Sequence, residues 1–153
     1  MNSDPFAIRP ARPGDETAIH ALVRELAEFE KLAHHVVSTP ADLAAAIFDE
    51  PSRLSALVAE VAGQAVGMAL FFPTFSSFAG KPGLWLEDVY VQPDHRGIGI
   101  GRGLLDAFLD HARSLRCARA EWSVLDWNEN AIRFYEDLGA KVLPDWKIAR
   151  YVV

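Results

Sequence analysis

Ile19, Leu22, Val23, Leu26 and Phe29 recur at helical spacing and make one apolar stripe. The period predicts a helix over Glu16 to Lys31, capped by Asp15. Thr39-Pro40-Ala41-Asp42 is a second helix start, running to Phe48. Its hydroxyl caps, its proline takes the first helical position, and an acid lies in the first turn. Before these helices, Phe6 to Ala11 alternates apolar and polar and reads as a strand. Leu54 to Val61 and Ala65 to Phe75 read as strands joined by the hairpin signal Ala62-Gly63-Gln64. Leu84 to Gln92 is a further, mostly apolar strand. A third helix, Arg102 to Arg116, turns Leu104, Leu105, Phe108, Leu109, Ala112 and Leu115 inward. Ala118 to Leu125 reads as a strand, and Asn128 to Leu138 as a short helix stopped by Gly139. Lys141 to Leu143 and Lys147 to Val153 are expected to be final strands. This order predicts a mixed α/β domain, with a parallel crossover around the third helix and antiparallel hairpins elsewhere.

Between the Leu84 strand and the third helix lies Arg96-Gly97-Ile98-Gly99-Ile100-Gly101. Glycine at every second position lets successive N–H groups turn toward one point. The helix N-terminus adds unpaired N–H groups and partial positive charge. Together they predict a cradle for a phosphate or pyrophosphate, flanked by Arg96 and Arg102. The loop is not of the P-loop type, because Gly101-Arg102-Gly103 replaces Gly-Lys-Ser/Thr. The dinucleotide fingerprint fails too, since its third glycine would fall on Arg102 or Leu104.

Glu87 and Asp88 are adjacent inside the apolar strand. Successive strand side chains face opposite ways, and burying an unpaired carboxylate is costly. Either the strand ends there in two solvated acids, or a bulge turns one outward, or one lines a wet cavity.

Composition narrows the class. The chain has 153 residues, half of them hydrophobic, enough for one domain with a core. No stretch approaches the about 18 apolar residues of a membrane span, and Met1 to Pro13 carries no signal-type run. The single cysteine, Cys117, cannot form an internal disulfide and points to a reducing, cytoplasmic compartment. A formal net charge of −6 disfavours nucleic acid and anionic membrane, and favours a cationic substrate. No His/Cys cluster has zinc spacing, so no metal is expected. His34-His35 reads as surface. Trp122, Trp127 and Trp146 fit either an amine-binding wall or the core.

The loop matches the pyrophosphate-loop pattern of the GNAT superfamily of acyl-CoA-dependent N-acetyltransferases, Arg/Gln-x-x-Gly-x-Gly/Ala. With Ile8-Arg9-Pro10-Ala11, Glu25-Leu26-Ala27-Glu28-Phe29-Glu30, Leu86-Glu87-Asp88, Trp127-Asn128-Glu129 and Phe134-Tyr135-Glu136-Asp137-Leu138-Gly139-Ala140, the chain most resembles the diamine (spermidine/spermine) and thialysine acetyltransferase branch. The resemblance implies residues 1–153 as one N-acetyltransferase domain. It also implies a mostly antiparallel sheet of about six or seven strands, about four helices on its two faces and a splay beside the glycine loop.

The resemblance further implies acetyl-CoA as cofactor. Val89, Tyr90 and Val91 would offer it backbone groups. Arg96, Gly97, Ile98, Gly99, Ile100 and Gly101, with Arg102, would hold its pyrophosphate, while Asn128 and Tyr135 would line it. Phe29, Glu30, Glu87, Asp88, Glu121, Trp122 and Ser123 would face the amine. Catalytic roles fall to Glu87 as base and Tyr135 as acid toward the leaving sulfur. A thiolate of pKa about 8.5 does not readily take a proton from a phenol of pKa about 10. Tyr135 therefore needs a lowered pKa or acts as a hydrogen-bond donor. Phe29 stands where many relatives have tyrosine, Glu121 adds an unexpected acid, and the chain ends early at Val153. The implied reaction is direct acetyl transfer to a diamine, polyamine or lysine-like amine by a homodimeric enzyme. Acetylation of a protein lysine or N-terminus, and a non-catalytic acyl-CoA-binding regulator, stand as alternatives.

Overall fold

The computed structural model describes residues 5–153. Two compact units divide them, one ending at Trp122 and the other running from Ser123 to Val153.

The first unit is a sheet of five strands in sequential order: β1 (Ala7–Pro10), β2 (Ser55–Val61), β3 (Gln64–Ser76), β4 (Lys81–Val91) and β5 (Ala120–Glu121). The first four are antiparallel neighbours. β5 lies parallel to β4 after the crossover through α3 (Ile100–Ser114). The β2–β3 hairpin turns at Ala62 and Gly63, both with positive φ, as a two-residue turn between twisted strands requires.

Strand alternation assigns the two faces. Ala56 and Val58 of β2, Met68 and Leu70 of β3, and Tyr90 of β4 pack with Ile19 and Leu22 of α1 (Glu16–Phe29). Leu43 and Ile47 of α2 (Pro40–Phe48) lie against the same cluster. The opposite face meets α3. The Phe71 ring stands edge-on to Phe108 at 5.4 Å, and Gly67 leaves room for Ile100 and Leu104.

Helix starts follow the sequence in part. Thr39 and Asp42 form the expected capping box on α2. Asp15 stands at the N-cap of α1, yet its carboxylate makes no cap bond. It accepts instead from Arg9 at 2.6 Å and from the Arg12 N–H at 2.7 Å. Arg9 also reaches Glu60 at 2.6 Å, tying β1, β2 and the start of α1 together. The guanidinium holds both carboxyls below their usual range.

The expected strand over Ala118 to Leu125 shrinks to Ala120–Glu121. Two backbone bonds extend it backward, from Ala118 N–H to Pro82 and from Leu84 N–H to Arg119. It does not extend forward past Glu121, whose partner Trp85 lies two residues before a bulge in β4. The third helix begins at Ile100, not Arg102, with Gly99 as its left-handed N-cap.

The second unit holds α4 (Glu129–Asp137), capped by the Asn128 side chain accepting from the Ala131 N–H at 3.3 Å. Gly139, at φ +97°, ends it as expected. The two final strands do not form: residues 141–153 have no ladder partners, turn at Pro144 and Asp145, and are exposed. Pro144 interrupts that stretch and has no N–H to donate. No described helix is long and apolar enough to cross a membrane.

A Cβ on Gly67 would lie 3.0 Å from the Tyr90 carbonyl and 3.4 Å from Ile100 and Leu104. Gly67→Val is therefore expected to destabilise the fold by about 1–3 kcal/mol through overpacking, measured as a lower midpoint in urea unfolding.

Candidate functional site

The register of β3 against β4 slips between Leu70 and Phe71. Leu70 pairs with Asp88 and Phe71 with Leu86, so Glu87 is an extra residue with no partner on β3. Of the three readings that the paired acids left open, this is the bulge. It reverses the parity of the strand. Leu86, opposite Phe71, stays on the α3 face, whereas Asp88 and Tyr90 face α1. Trp85, opposite Phe72, also belongs to the α1 side, and its indole donates to Glu87 at 3.1 Å. Two consecutive carboxylates thus emerge on one side of the sheet.

Their environments differ. Glu87 is exposed, while Asp88 is largely buried beside Tyr90. Burial first, then the charges of Glu87 and Glu30, push the Asp88 carboxyl up to about 6. Nothing acts in the other direction. Glu30 caps the C-terminus of α1 and is itself raised by burial. Glu30, Glu87 and Asp88, all expected at the amine, therefore form one cluster. Glu121 does not add free negative charge, since Arg119 pairs with it at 2.6 Å. Trp122 stands edge-on to Phe108 at 6.2 Å, which is packing on the α3 face.

Beyond Trp85 the outer edge of β4 has no strand beside it, because β5 pairs only with Leu84 and Trp85. This splay leaves one edge of Val89 to Val91 outside any described ladder. The glycine loop follows. Gly97 and Gly99 have φ of +82° and +96°, and a Cβ on Gly97 would meet nothing within 4 Å. The ladder of α3 starts with the Gly103 N–H bonding Gly99 at 2.9 Å. The N–H groups of Ile100, Gly101 and Arg102 precede it, so they have no helical acceptor. Ile100 is 1% exposed and anchors the turn, and a Cβ on Gly99 would lie 3.9 Å from the Phe6 ring. These open, unpaired amides over a buried anchor fit a diphosphate.

The two arginines are engaged differently. Arg102 forms an exposed pair with Asp106 at 3.0 Å, worth little and readily exchanged. Arg96 donates from Nε to the Val91 carbonyl at 2.8 Å, with Phe29 and Tyr90 flanking its guanidinium. Gln92 donates to Glu25 at 3.0 Å.

Ser123, Asn128 and Tyr135 belong to the second unit. There Asn128 is the α4 cap, and Tyr135 is half-buried on α4 with Phe134 beside it at 5.8 Å. Sequence reasoning missed Trp85, which holds Glu87; Arg119, which neutralises Glu121; and Glu25 as a partner of Gln92. Only the Arg119/Glu121 pair had a local signal, opposite charges two apart on one strand face.

The pattern of the Acetyltransferase (GNAT) family matches residues 19–140. L-ornithine N5-acetyltransferase NATA1 of Arabidopsis thaliana is 31% identical, over 94% of this chain and 82% of its own. Thialysine N-epsilon-acetyltransferase of Mus musculus is 37% identical, over 90% and 85%. Among solved structures, an aminoglycoside acetyltransferase from an uncultured soil metagenomic sample superposes with a TM-score of 0.81, at 15% identity and 97% of both chains.

The raised Asp88 pKa fixes a sign. Below pH 3.8 the group is protonated folded or unfolded and has no effect. Between 3.8 and about 6 the folded chain binds the extra proton, so stability falls as pH rises, and above 6 the whole penalty applies. Asp88→Asn should therefore raise the melting temperature at pH 8 by an amount equivalent to up to about 3 kcal/mol and leave it unchanged near pH 3.5. Calorimetric scans at the two pH values measure this.

Proposed function

The chain belongs to the Acetyltransferase (GNAT) family, and from that premise we propose that it moves an acetyl group from acetyl-CoA to a primary amine of a small cationic substrate: a diamine, polyamine or lysine-like amine. The observation that carries this reading is the Glu87 bulge, which sets an unpaired, desolvated Asp88 beside an open strand edge and a glycine loop. The ornithine N5 and thialysine N-epsilon named for the relatives support a terminal side-chain amine. The net charge of −6 suits a cation.

Bound acetyl-CoA would supply an acetyl group already activated as a thioester. The amides from Gly97 to Arg102, with the two flanking arginines, would hold its diphosphate, and Val89 to Val91 and Asn128 would position the rest. The protein's main chemical task is then to free the amine of a proton. An alkyl ammonium of pKa about 10.4 gives its proton to an ordinary aspartate only at a cost of about 9 kcal/mol. With Asp88 at about 6 the cost falls to about 6 kcal/mol. Burial, with the charges of Glu87 and Glu30, thus contributes about 3 kcal/mol toward deprotonation.

Sequence reasoning gave the base role to Glu87. Its exposure and its bond to the Trp85 indole suit it better to holding the cation and relaying the proton outward. Glu30 would hold a distal charge. Tyr135 would donate a hydrogen bond to the leaving sulfur. The family match spans both compact units, so we read residues 1–153 as one catalytic domain acting in the cytoplasm. The exposed apolar side chains of Leu143, Trp146, Ile148, Tyr151 and Val152 support a homodimer.

A thiol-release assay with acetyl-CoA against diamines, polyamines, lysine analogues and basic peptides tests the reaction. Small amines are expected to turn over, and a panel with no turnover overturns the reading. In the pH profile of kcat/KM, activity should rise through a limb near pH 6. Asp88→Asn should lower kcat by about 100-fold or more and remove the limb. Glu87→Gln should instead move it to lower pH, because a charge that raises Asp88 is gone. Tyr135→Phe should lower kcat by about 100-fold while coenzyme A still binds.

A further inference from the structure

The resemblance assigns Phe29 to the amine, but its ring is turned to the cation at the head of the glycine loop. The Arg96 guanidinium carbon lies 5.6 Å from the centre of the Phe29 ring and 5.4 Å from that of Tyr90. Its Nε donates to the Val91 carbonyl at 2.8 Å. Arg96 is thereby held by two aromatic rings and one carbonyl. A ring covered by a guanidinium on one face cannot offer that face to a substrate ammonium, since the two cations would repel.

Glu25 lies one turn before Phe29 on the same side of α1. It accepts from Gln92 at 3.0 Å and borders the Tyr90 hydroxyl. The last turns of α1 therefore clasp the corner between β4 and the loop at two points.

We propose that Phe29 is a positioning residue for the phosphate loop: its ring fixes the Arg96 guanidinium so that the loop amides present a preformed site to the cofactor's diphosphate. The ring face is what serves. The hydroxyl that Phe29 lacks is not needed for this contact. This inference rests on the acetyl-CoA reading above and adds a cofactor-side role to a residue expected on the amine side.

Calorimetric titration with coenzyme A, beside steady-state kinetics, tests it. Phe29→Ala should weaken coenzyme A about two- to fivefold, the range of an exposed cation–π contact. The KM for acetyl-CoA should rise by the same factor, with the amine KM unchanged. Phe29→Tyr keeps the ring and should restore wild-type values. In an Arg96→Gln background the effect of Phe29→Ala should vanish. A Phe29→Ala enzyme with a raised amine KM and normal coenzyme A affinity overturns the proposal, and so does an equal effect with and without Arg96. If the wild-type protein does not bind coenzyme A, the acetyl-CoA reading falls and takes this inference with it.

Discussion

One unpaired residue in β4 governs the candidate site. Were Glu87 a regularly pleated residue, strand parity would put Asp88 on the same face as Leu84 and Leu86, inside the apolar layer under α3. An ionised carboxylate there would have neither water nor partner. With the bulge, Asp88 crosses to the α1 face and Glu87 emerges beside it. Two residues before this irregularity β5 ceases to follow β4, and the edge of Val89 to Val91 lies outside any described ladder. Acid pair and open strand edge thus lie next to one another on β4, around one local departure from regular pleating.

The glycine loop depends on a different constraint, a close approach of three elements beneath it. Gly67 of β3 lets Ile100 and Leu104 settle on the sheet, and Phe6 fills the space under Gly99. The unpaired amides at the mouth of α3 are therefore mounted on side chains with almost no exposure, and their direction is set by the core. From the side, Arg96 ties the loop to Val91 and to the aromatic rings that flank it. A cradle so anchored needs little reorganisation on binding an anion, which is where preorganised sites gain affinity.

Much of this was legible in the residues. Apolar patterning located α1, α3, α4 and the first four strands, because a face turned inward leaves a regular trace. The α2 start was readable in full, since Thr39, Pro40 and Asp42 each have a defined place in a capping box. Asp15 carried the same cap signal and went elsewhere, drawn by Arg9, a partner that only the sheet brings near. Adjacent acids in an apolar strand pointed to a bulge as one of three readings, but the choice between the two acids did not follow from sequence. Asp88 is distinguished from Glu87 by burial and by Glu30, which lies far away in the chain. The strands expected after Lys141 are absent, because a segment becomes a strand only where another strand pairs with it.

An aspartate raised to about 6 works against folding at neutral pH, and the rest of the unit has to hold it in place. Arg9 binds β1, β2 and the α1 start through two carboxylates that it keeps ionised. Ile19, Leu22, Met68 and Tyr90 pack against one another with almost no exposure. Asp88 sits at the border of that packed cluster, next to Tyr90 and opposite Leu70. A soft border would let water in or let the side chain swing out, and the carboxyl would return to its ordinary value. Rigid packing around an uncompensated charge is how a fold keeps a basic group ready, and a bound cation relieves the strain. The feature least favourable to stability is thus the one that the proposed reaction would use as its base.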